Sequence, residues 1–497
     1  MTTSPTGRRA GSALQWGAIV AAVVVLARLP SFAHRLLDGD EAIYASIAAL
    51  MNSGHPLYAD GGVDNKPPGI FWVYSATFHL AGTYQMTAIH AVGLLVVLAT
   101  CAVLFIIGRS LAGVRAGLLS ALIYGILTAA GNPRLLASNT ELFMMLPLSA
   151  SVLLMLRRRW LWSGALLAAA GAFRQVAAVN VLLLPVAILL LETRQTRLRA
   201  FGLFAGGLIG ALLAGAVLLA LTGSLTGFWD WTVGSLYGYA ATNWTPALLW
   251  LRAKDSIVPF VVSMIVVWVA AVGFAWHWKQ LGARERLIVA WLVVSIPGSL
   301  AGGHLSWHYF IQLMGPLALL AAFAIDRALQ TPKRRWFAGA AIAGLGVPLA
   351  GWAAFNVVAD PLTYDFRAPV PQHQAVAAYI HDQTRVQDRV FVWGNWPALY
   401  IESDRIMATR FPGFLRGFAR GSGLPPNNWD TTARVWPELH ADLLRNPPAL
   451  IIDTAPAGWS DFSMYPMRNY PVLDAFVTSG YHVVATIDRV VIYARNP

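Results

Sequence analysis

Three acidic residues stand within four positions of the segment LLDGDEAIYAS, residues 36–46: Asp38, Asp40 and Glu41. Apolar residues then recur at helical spacing, so the acids are predicted to lie at a helix N-terminus, where a negative charge is favoured by about 0.3–1 kcal/mol. Capping that helix needs one acid, not three. We therefore interpret Asp40 and Glu41 as candidate catalytic residues, with Asp38 and Tyr44 as candidate substrate-binding residues.

Cationic and polar residues in later segments extend this set. Lys66, in the segment DNKPPG, precedes two prolines that fix the neighbouring backbone. Arg174 interrupts the apolar stretch 161–191, and a charge at membrane depth is a functional candidate by default. The remaining candidates lie near the predicted ends of apolar stretches. Glu141 is a further candidate catalytic acid, Asp64, Asn139, Gln175, His304 and His308 are candidate substrate-binding residues, and Tyr309 belongs either to these or to the interfacial aromatic belt.

These residue types favour one kind of reaction. Cations suit a phosphate that is bound and then released as a leaving group, and a carboxylate suits a hydroxyl that must lose a proton. A lipid-phosphate donor and a hydroxyl acceptor fit the set. The sequence has no zinc signature of the HExxH type and no glycine-rich phosphate loop, and no cofactor is required. A divalent metal bound by Asp40, Glu41 and Glu141 remains an alternative.

The composition predicts the environment in which this chemistry takes place. Of the 497 residues, 57% are hydrophobic and only 12% are charged, which is more apolar surface than one soluble core can hide. The formal charge of +12 comes from Lys and Arg clustered between apolar runs, which indicates orientation in a bilayer and not a nucleic-acid partner. The single cysteine, Cys101, excludes an intramolecular disulfide.

The basic clusters predict a topology for a polytopic α-helical membrane protein. If the stretch 161–191 crossed once, Arg157–Arg159 and Arg194–Arg199 would lie on opposite sides, which the positive-inside rule disfavours. Two short helices that meet at Arg174 place every basic cluster on one side. We therefore predict a cytoplasmic tail over 1–13 and a transmembrane domain over 14–358 with about eleven spans in the cytoplasmic (inner) membrane. Its predicted outer loops are 34–84, 132–141, 222–255 and 302–308.

The segment 359–497 differs in composition from the rest of the chain. AVAAYIHDQT has helical spacing, whereas RVFVWGNW, PALIIDTA and HVVATIDRVVIYAR are typical of strands. Strands that alternate with helices predict a small extracytoplasmic α/β domain. We expect this domain to lie near Asp40, where it would select the acceptor or cover the site. Its tryptophans at 393–396 and in WSDF near 459 are interpreted either as carbohydrate contacts or as packing.

Five motifs, read in order over about residues 14–330, resemble those of a known family: GDEAIYASIA, DNKPPGIFW, NTELFMML, AFRQ and WHYFIQLMGPLALLAA. They are similar to the GT-C superfamily, specifically the family 39 dolichyl/polyprenyl-phosphate mannosyltransferase-like and aminoarabinose-transferase-like proteins. The resemblance implies transfer of a sugar from a polyprenyl-phosphate donor at the outer leaflet, with inversion.

The resemblance also implies roles for individual residues. Asp40 would lie near the acceptor and the reacting carbon, Lys66 and Arg174 would bind the donor phosphate, and Tyr309 would lie close to it. Glu41 and Glu141 match the other acids of the motifs. The chain departs from the aminoarabinose transferases, which carry a basic residue where Ala42 and Ile43 stand and an acid where Asn65 stands. The donor and the metal site of that subgroup are therefore not implied here.

Two other functions fit the same residues. A transporter or flippase of a lipid-linked glycan would bind a phosphate in transit with the same charges, although no internal repeat is detected. A non-catalytic membrane scaffold would use its exported domain to bind a partner. The donor sugar and the acceptor, whether lipid, glycan or protein, are not determined by the sequence.

Overall fold

The computed structural model describes residues 5–234, 246–303, 305–332, 335–363, 372–413 and 435–497. Its contacts divide the chain into two units. The first comprises Met1–His34, His90–Gly215 and Pro246–Ala359, and the second comprises Arg35–Ile89, Ala216–Thr245 and Asp360–Pro497. One unit boundary falls between Ala359 and Asp360, and the segments 35–89 and 216–245 group with the C-terminal residues. The predicted domain division at 358/359 stays a prediction.

Helices account for nearly all of the first unit. They begin and end as follows: α1 Pro5–Arg28, α4 Met86–Ala112, α5 Val114–Leu127, α6 Thr140–Leu156, α7 Trp160–Gly171, α8 Leu183–Leu191, α9 Arg197–Leu221, α11 Pro246–Arg252, α12 Val258–Ser263, α13 Ile265–Trp276, α14 Ala283–Leu300, α15 Ile311–Gln330 and α16 Arg335–Val358. A 3₁₀ helix, Gln175–Leu182, leads into α8. The almost fully buried α15 packs against α5, α13 and α14 and forms the centre of this unit.

The described helices include several that could cross a membrane. Five of them are long and apolar enough, and the bent pair Leu249–Ser263 and Ile265–Trp276 makes a sixth if it is one span. Four shorter apolar helices, of 10–17 residues, cover Val114–Leu127, Thr140–Leu156, Trp160–Gly171 and Gln175–Leu191. The predicted total of about eleven spans is thus not confirmed, because several of the predicted spans fold as helices shorter than the roughly 20 residues that cross a bilayer.

The predicted break at Arg174 is present. Helix α7 ends at Gly171, Arg174 has extended backbone angles (φ −151°, ψ 127°), and the 3₁₀ helix begins at Gln175. A charged side chain on irregular backbone between two apolar helices is tolerated where it is buried in protein or lines a cavity. Arg174 is buried, with 7% of its surface exposed.

The second unit combines loops and helices from both ends of the chain with a small sheet. Its helices are α2 Gly39–Asn52, α3 Gly69–Ala81, α10 Leu225–Phe228, α17 His373–Gln383, α18 Ala398–Glu402, α19 Val435–Arg445 and α20 Pro471–Gly480. The strands are β1 Val390–Trp393, β2 Leu450–Asp453, β3 Tyr481–Ile487 and β4 Val490–Arg495, in the order β1-β2-β4-β3. Strands β1 and β2 are parallel, and β4 pairs antiparallel with both β2 and β3.

Local sequence explains the sheet. Strands β1 and β2 are fully buried, in keeping with their continuous apolar runs VFVW and LII. Asp488 and Arg489 connect β3 to β4 and both have positive φ (48° and 65°), as the two central residues of a type I′ hairpin turn require.

Segment 35–89 and the C-terminal residues pack together within this unit. Helix α18 packs on α2, and Arg35 forms an ion pair with Asp404. The backbone N–H of Val63 donates to the carbonyl of Arg410 at 3.0 Å. The expectation that the C-terminal segment lies near the acidic helix is therefore met by direct contacts.

Candidate active site

The three acids at the start of α2 differ in their surroundings. Asp38 precedes the helix and is 8% exposed, whereas Asp40 in its first turn is half-buried. Glu41 is fully buried, and its Oε2 accepts the backbone N–H of Leu37 at 2.8 Å. Asp40 accepts a long hydrogen bond from the Tyr44 hydroxyl, at 3.4 Å. Asp40 is therefore partly accessible to solvent, whereas Glu41 is not.

Asp38 and Asp40 form a pair of carboxylates. An oxygen of one lies within 4.8 Å of an oxygen of the other. Two carboxylate oxygens this close are suited to holding a cation between them. The N-terminus of α2 stabilises negative charge at the same place through the helix dipole.

Lys66 is held through its backbone as well as its side chain. Its carbonyl accepts the Tyr58 hydroxyl at 2.6 Å and the Thr232 hydroxyl at 3.4 Å. Burial raises the pKa of Tyr58 well above its usual value, so this hydroxyl remains a donor. The ammonium lies 3.7 Å from Asp64, and the side chain is 12% exposed. Lys66 is thus a nearly buried cation in a fixed position, as phosphate binding requires.

Close packing explains how Tyr58 reaches this position. A Cβ on Gly227, in α10, would overlap the carbonyl oxygen of Tyr58, so only glycine permits the observed approach. The Tyr58 ring also contacts Phe71 and Phe228 edge to face, with centroids 6.2 and 5.7 Å away. The backbone before Pro67 is therefore fixed by packing within this unit.

The first unit contains a buried cluster around Arg174. The guanidinium Nε lies 3.1 Å from Oε1 of Glu141, and its Cζ lies 4.6 Å from the centre of the Tyr309 ring. Glu141 is 1% exposed and accepts the Thr140 hydroxyl at 2.8 Å. His308 is also buried and its ring contacts that of Tyr309 edge to face at 4.8 Å. The structure thus brings Glu141, Arg174, His308 and Tyr309 together.

The other predicted residues of this unit lie at element ends. Asn139 is fully buried and precedes α6, whose first turn contains Glu141. Gln175 is half-buried and begins the 3₁₀ helix after Arg174. His304 lies outside the described residues.

Two positioning residues were missing from the sequence prediction. Arg28 is 1% exposed and donates to the carbonyls of Thr128 and Leu136 at 2.8 and 2.7 Å, which holds the loop that leads to α6. The sequence does contain an indication of this role, because Arg28 is a charged residue inside the predicted span 14–33. The role of Tyr58 had no local signal, since its partner depends on the path of the loop.

The chain is similar to one protein family and to several solved structures. Residues 65–221 match the family model described as dolichyl-phosphate-mannose-protein mannosyltransferase. The structure is similar to ArnT from Cupriavidus metallidurans bound to undecaprenyl phosphate, with 15% identity, a TM-score of 0.62, and coverage of 97% of this chain and 99% of that one. The chain has the GT-C fold. GT-C proteins are multi-pass membrane proteins, in keeping with the apolar helices described above.

A second GT-C structure is similar over a comparable length of this chain. It is the archaeal oligosaccharyltransferase AglB from Archaeoglobus fulgidus, in complex with an inhibitory peptide and a dolichol-phosphate. The identity is 10%, the TM-score is 0.59, and the match covers 98% of this chain and 74% of AglB. No curated protein matches the sequence. The resemblance to the GT-C superfamily drawn from the motifs is therefore confirmed at the level of fold.

Proposed function

We propose that this GT-C protein is a membrane glycosyltransferase that moves a sugar from a polyprenyl-phosphate donor to a hydroxyl acceptor on the outer side of the cytoplasmic membrane, with inversion. The observation that carries the proposal is the accessible carboxylate of Asp40 at the start of α2, in the same unit as the fixed cation Lys66. The fold supports it, because the similar ArnT and AglB structures contain undecaprenyl phosphate and dolichol-phosphate.

The proposed step assigns one role to each group. Asp40 accepts the proton of the acceptor hydroxyl while the acceptor oxygen attacks the anomeric carbon. The bond between that carbon and the phosphate oxygen breaks, and polyprenyl phosphate leaves with the electron pair. Lys66 and Arg174 neutralise the charge that develops on the phosphate, with Tyr309 beside Arg174.

The buried acids are proposed to position other groups. Glu141 holds Arg174 through the 3.1 Å ion pair, and Glu41 holds the backbone before α2 through Leu37. Asp38, Tyr44, Asp64, Asn139, Gln175 and His308 remain proposed contacts of the substrates. No metal is assigned a role in this step.

Transfer assays with purified full-length protein test the proposal. Wild type and Asp40→Asn would be incubated with radiolabelled polyprenyl-phosphate sugars and a membrane extract as acceptor source, and release of polyprenyl phosphate followed. Loss of a general base should lower turnover about 100-fold or more while donor binding is kept. Asp382→Asn is the matched control, because Asp382 is an exposed aspartate on α17 whose side chain is 71% accessible.

Each outcome decides between functions. Full turnover by Asp40→Asn would remove Asp40 as the base. Donor binding by wild type without turnover of any sugar in the panel would favour the transporter or flippase over the transferase. A Lys66→Gln variant should weaken donor binding while the Asp382→Asn control binds normally, because removing a fixed cation costs a charge-assisted hydrogen bond to the phosphate.

A further inference from the structure

A basic pocket of about 390 Å³ lies where α7 and α9 begin, at one edge of the membrane-spanning helices. Arg158, Arg159 and Arg199 line it together with Glu192, Trp160 and Trp162. None of these residues has a part in the proposed transfer reaction. The sequence predicts that this edge faces the cytoplasm, the side opposite to the proposed site of transfer.

Glycine packing builds this pocket from two distant segments. A Cβ on Gly164 of α7 would overlap the carbonyl oxygen of Phe204, and a Cβ on Gly207 of α9 would overlap that of Leu161. Small residues that let two backbones touch are a common device of helix packing in membranes. The close approach brings the arginines before α7 and at the start of α9 to one place.

The pocket has an excess of positive charge. The carboxylate of Glu192 is already engaged, because it accepts the Trp160 indole N–H at 3.0 Å and the Thr196 hydroxyl at 2.5 Å and lies 3.8 Å from Arg158. Arg159 and Arg199 are exposed and have no ion-pair partner among the residues that the structure describes. One carboxylate against three guanidinium groups leaves the pocket cationic.

The rim of the pocket is apolar and exposed. Trp162, Leu161 and Leu203 have 64%, 42% and 40% of their surfaces accessible, and α9 is one of the helices able to cross a membrane. Tryptophan is enriched at the boundary between lipid and water, where its ring lies at the level of the headgroups. The pocket therefore combines guanidinium groups for a phosphate with apolar surface for acyl chains.

We infer that this pocket binds the phosphate headgroup of an anionic phospholipid, with the acyl chains lying on Trp162, Leu161 and Leu203. Basic pockets between membrane helices on this predicted side are suited to such headgroups. Arg159 and Arg199 supply charge-assisted hydrogen bonds, and Glu192 fixes the wall that carries Arg158. Charge complementarity selects an anionic lipid over a zwitterionic one.

Native mass spectrometry of the full-length protein in detergent tests this inference. The protein would be titrated with phosphatidylglycerol, with phosphatidylcholine of the same acyl chains, and with inorganic phosphate. Wild type should bind one phosphatidylglycerol more tightly than phosphatidylcholine. Arg159→Gln/Arg199→Gln should weaken that binding about 30-fold, since each arginine near an anionic headgroup contributes a factor of about five.

The control removes the same charge elsewhere. Arg194→Gln/Arg284→Gln alters two exposed arginines that do not line the pocket, and it should bind phosphatidylglycerol as wild type does. Equal binding of the two lipids by wild type, or equal losses in both double variants, would overturn the inference. Competition by millimolar inorganic phosphate would also overturn it, because the pocket would then be a site for a soluble anion.

Discussion

A buried histidine in the second unit makes the stability of this protein depend on pH. His373 is 2% exposed, and its ring nitrogens lie 2.9 Å from Asp360 and 2.9 Å from Glu402. Burial alone would lower the pKa of His373, but the hydrogen bonds to the two carboxylates outweigh burial and raise the pKa from 6.5 to about 9. We predict that His373→Gln removes the stabilisation that the charged imidazolium of His373 gives the fold.

The size of this stabilisation follows from the pKa shift of His373. Each unit of pKa difference corresponds to about 1.4 kcal/mol, so the imidazolium contributes at most about 3 kcal/mol. Asp360 is 30% exposed, and water screens that contact, so we expect about 2 kcal/mol. Because the folded pKa lies above the unfolded one, the contribution is complete below about pH 6.5 and is lost as the pH rises through about 9.

Thermal unfolding of the full-length protein in detergent, followed by tryptophan fluorescence at one scan rate, measures the effect. At pH 6 the Tm of His373→Gln should lie about 2 °C below that of wild type, and the difference should disappear by about pH 10. The Trp396 ring, whose centroid lies 5.7 Å from that of His373, provides a local reporter.

The matched control is His381→Gln on the same helix, α17. The His381 side chain is 55% exposed and its only described partner is the exposed Asp382, so its removal should leave the Tm unchanged at both pH values. Parallel pH profiles for wild type and His373→Gln, or an equal effect of His381→Gln, would refute the assignment of the pH dependence to this buried pair of contacts.

Three further predictions concern burial and packing. Burial raises the pKa of Asp453 to about 7, so ionisation of this carboxyl destabilises the fold as the pH rises from about 3.8 through 7. Asp453→Asn should therefore stabilise the protein at pH 8 by up to about 4 kcal/mol, which a higher Tm would report. An unchanged Tm would contradict this prediction. Arg410→Ala should cost about 1.5–3 kcal/mol because the buried Asp442 loses two guanidinium contacts of 2.8–2.9 Å and keeps the backbone N–H of residue 410 and Arg445 at 3.9 Å. Limited proteolysis of the C-terminal segment measures this loss, and Arg410→Ala/Asp442→Ala should recover part of it. Gly207→Ala should cost about 1–3 kcal/mol of stability, seen as a lower Tm in detergent, because the added Cβ overlaps the carbonyl oxygen of Leu161. Gly210→Ala on the same helix adds its Cβ in open space and should leave the Tm unchanged. Equal effects of the two substitutions would exclude the packing argument.

The sequence predicted those features that depend on local pattern. The acidic helix N-terminus at Asp40 followed from apolar spacing, and the break at Arg174 followed from the length of the apolar stretch and its internal charge. The strands lie in the segments whose composition predicted them, and the order of the motifs led to the GT-C resemblance.

Contacts between distant segments could not be predicted in this way. Arg35 and Asp404 are 369 positions apart, and no local pattern indicates that they form an ion pair. No local pattern indicates the ion pair between Glu141 and Arg174 either, because the two residues lie in separate loops of the sequence. Periodicity indicates which face of a helix is buried but not which segment covers it.

Burial separates carboxylates that residue type alone makes equivalent. Asp40, Glu41 and Glu141 all stand in the first turn of a helix, where each is stabilised by the same backbone dipoles. A general base must exchange a proton with its substrate, which requires access, and of these three acids only Asp40 is partly exposed. Glu141 is instead committed to Arg174, and Glu41 to the backbone of Leu37. The chemistry we propose therefore rests on Asp40, while Glu41 fixes the backbone before α2 and Glu141 fixes Arg174. The spacing of acids along the chain does not contain this distinction.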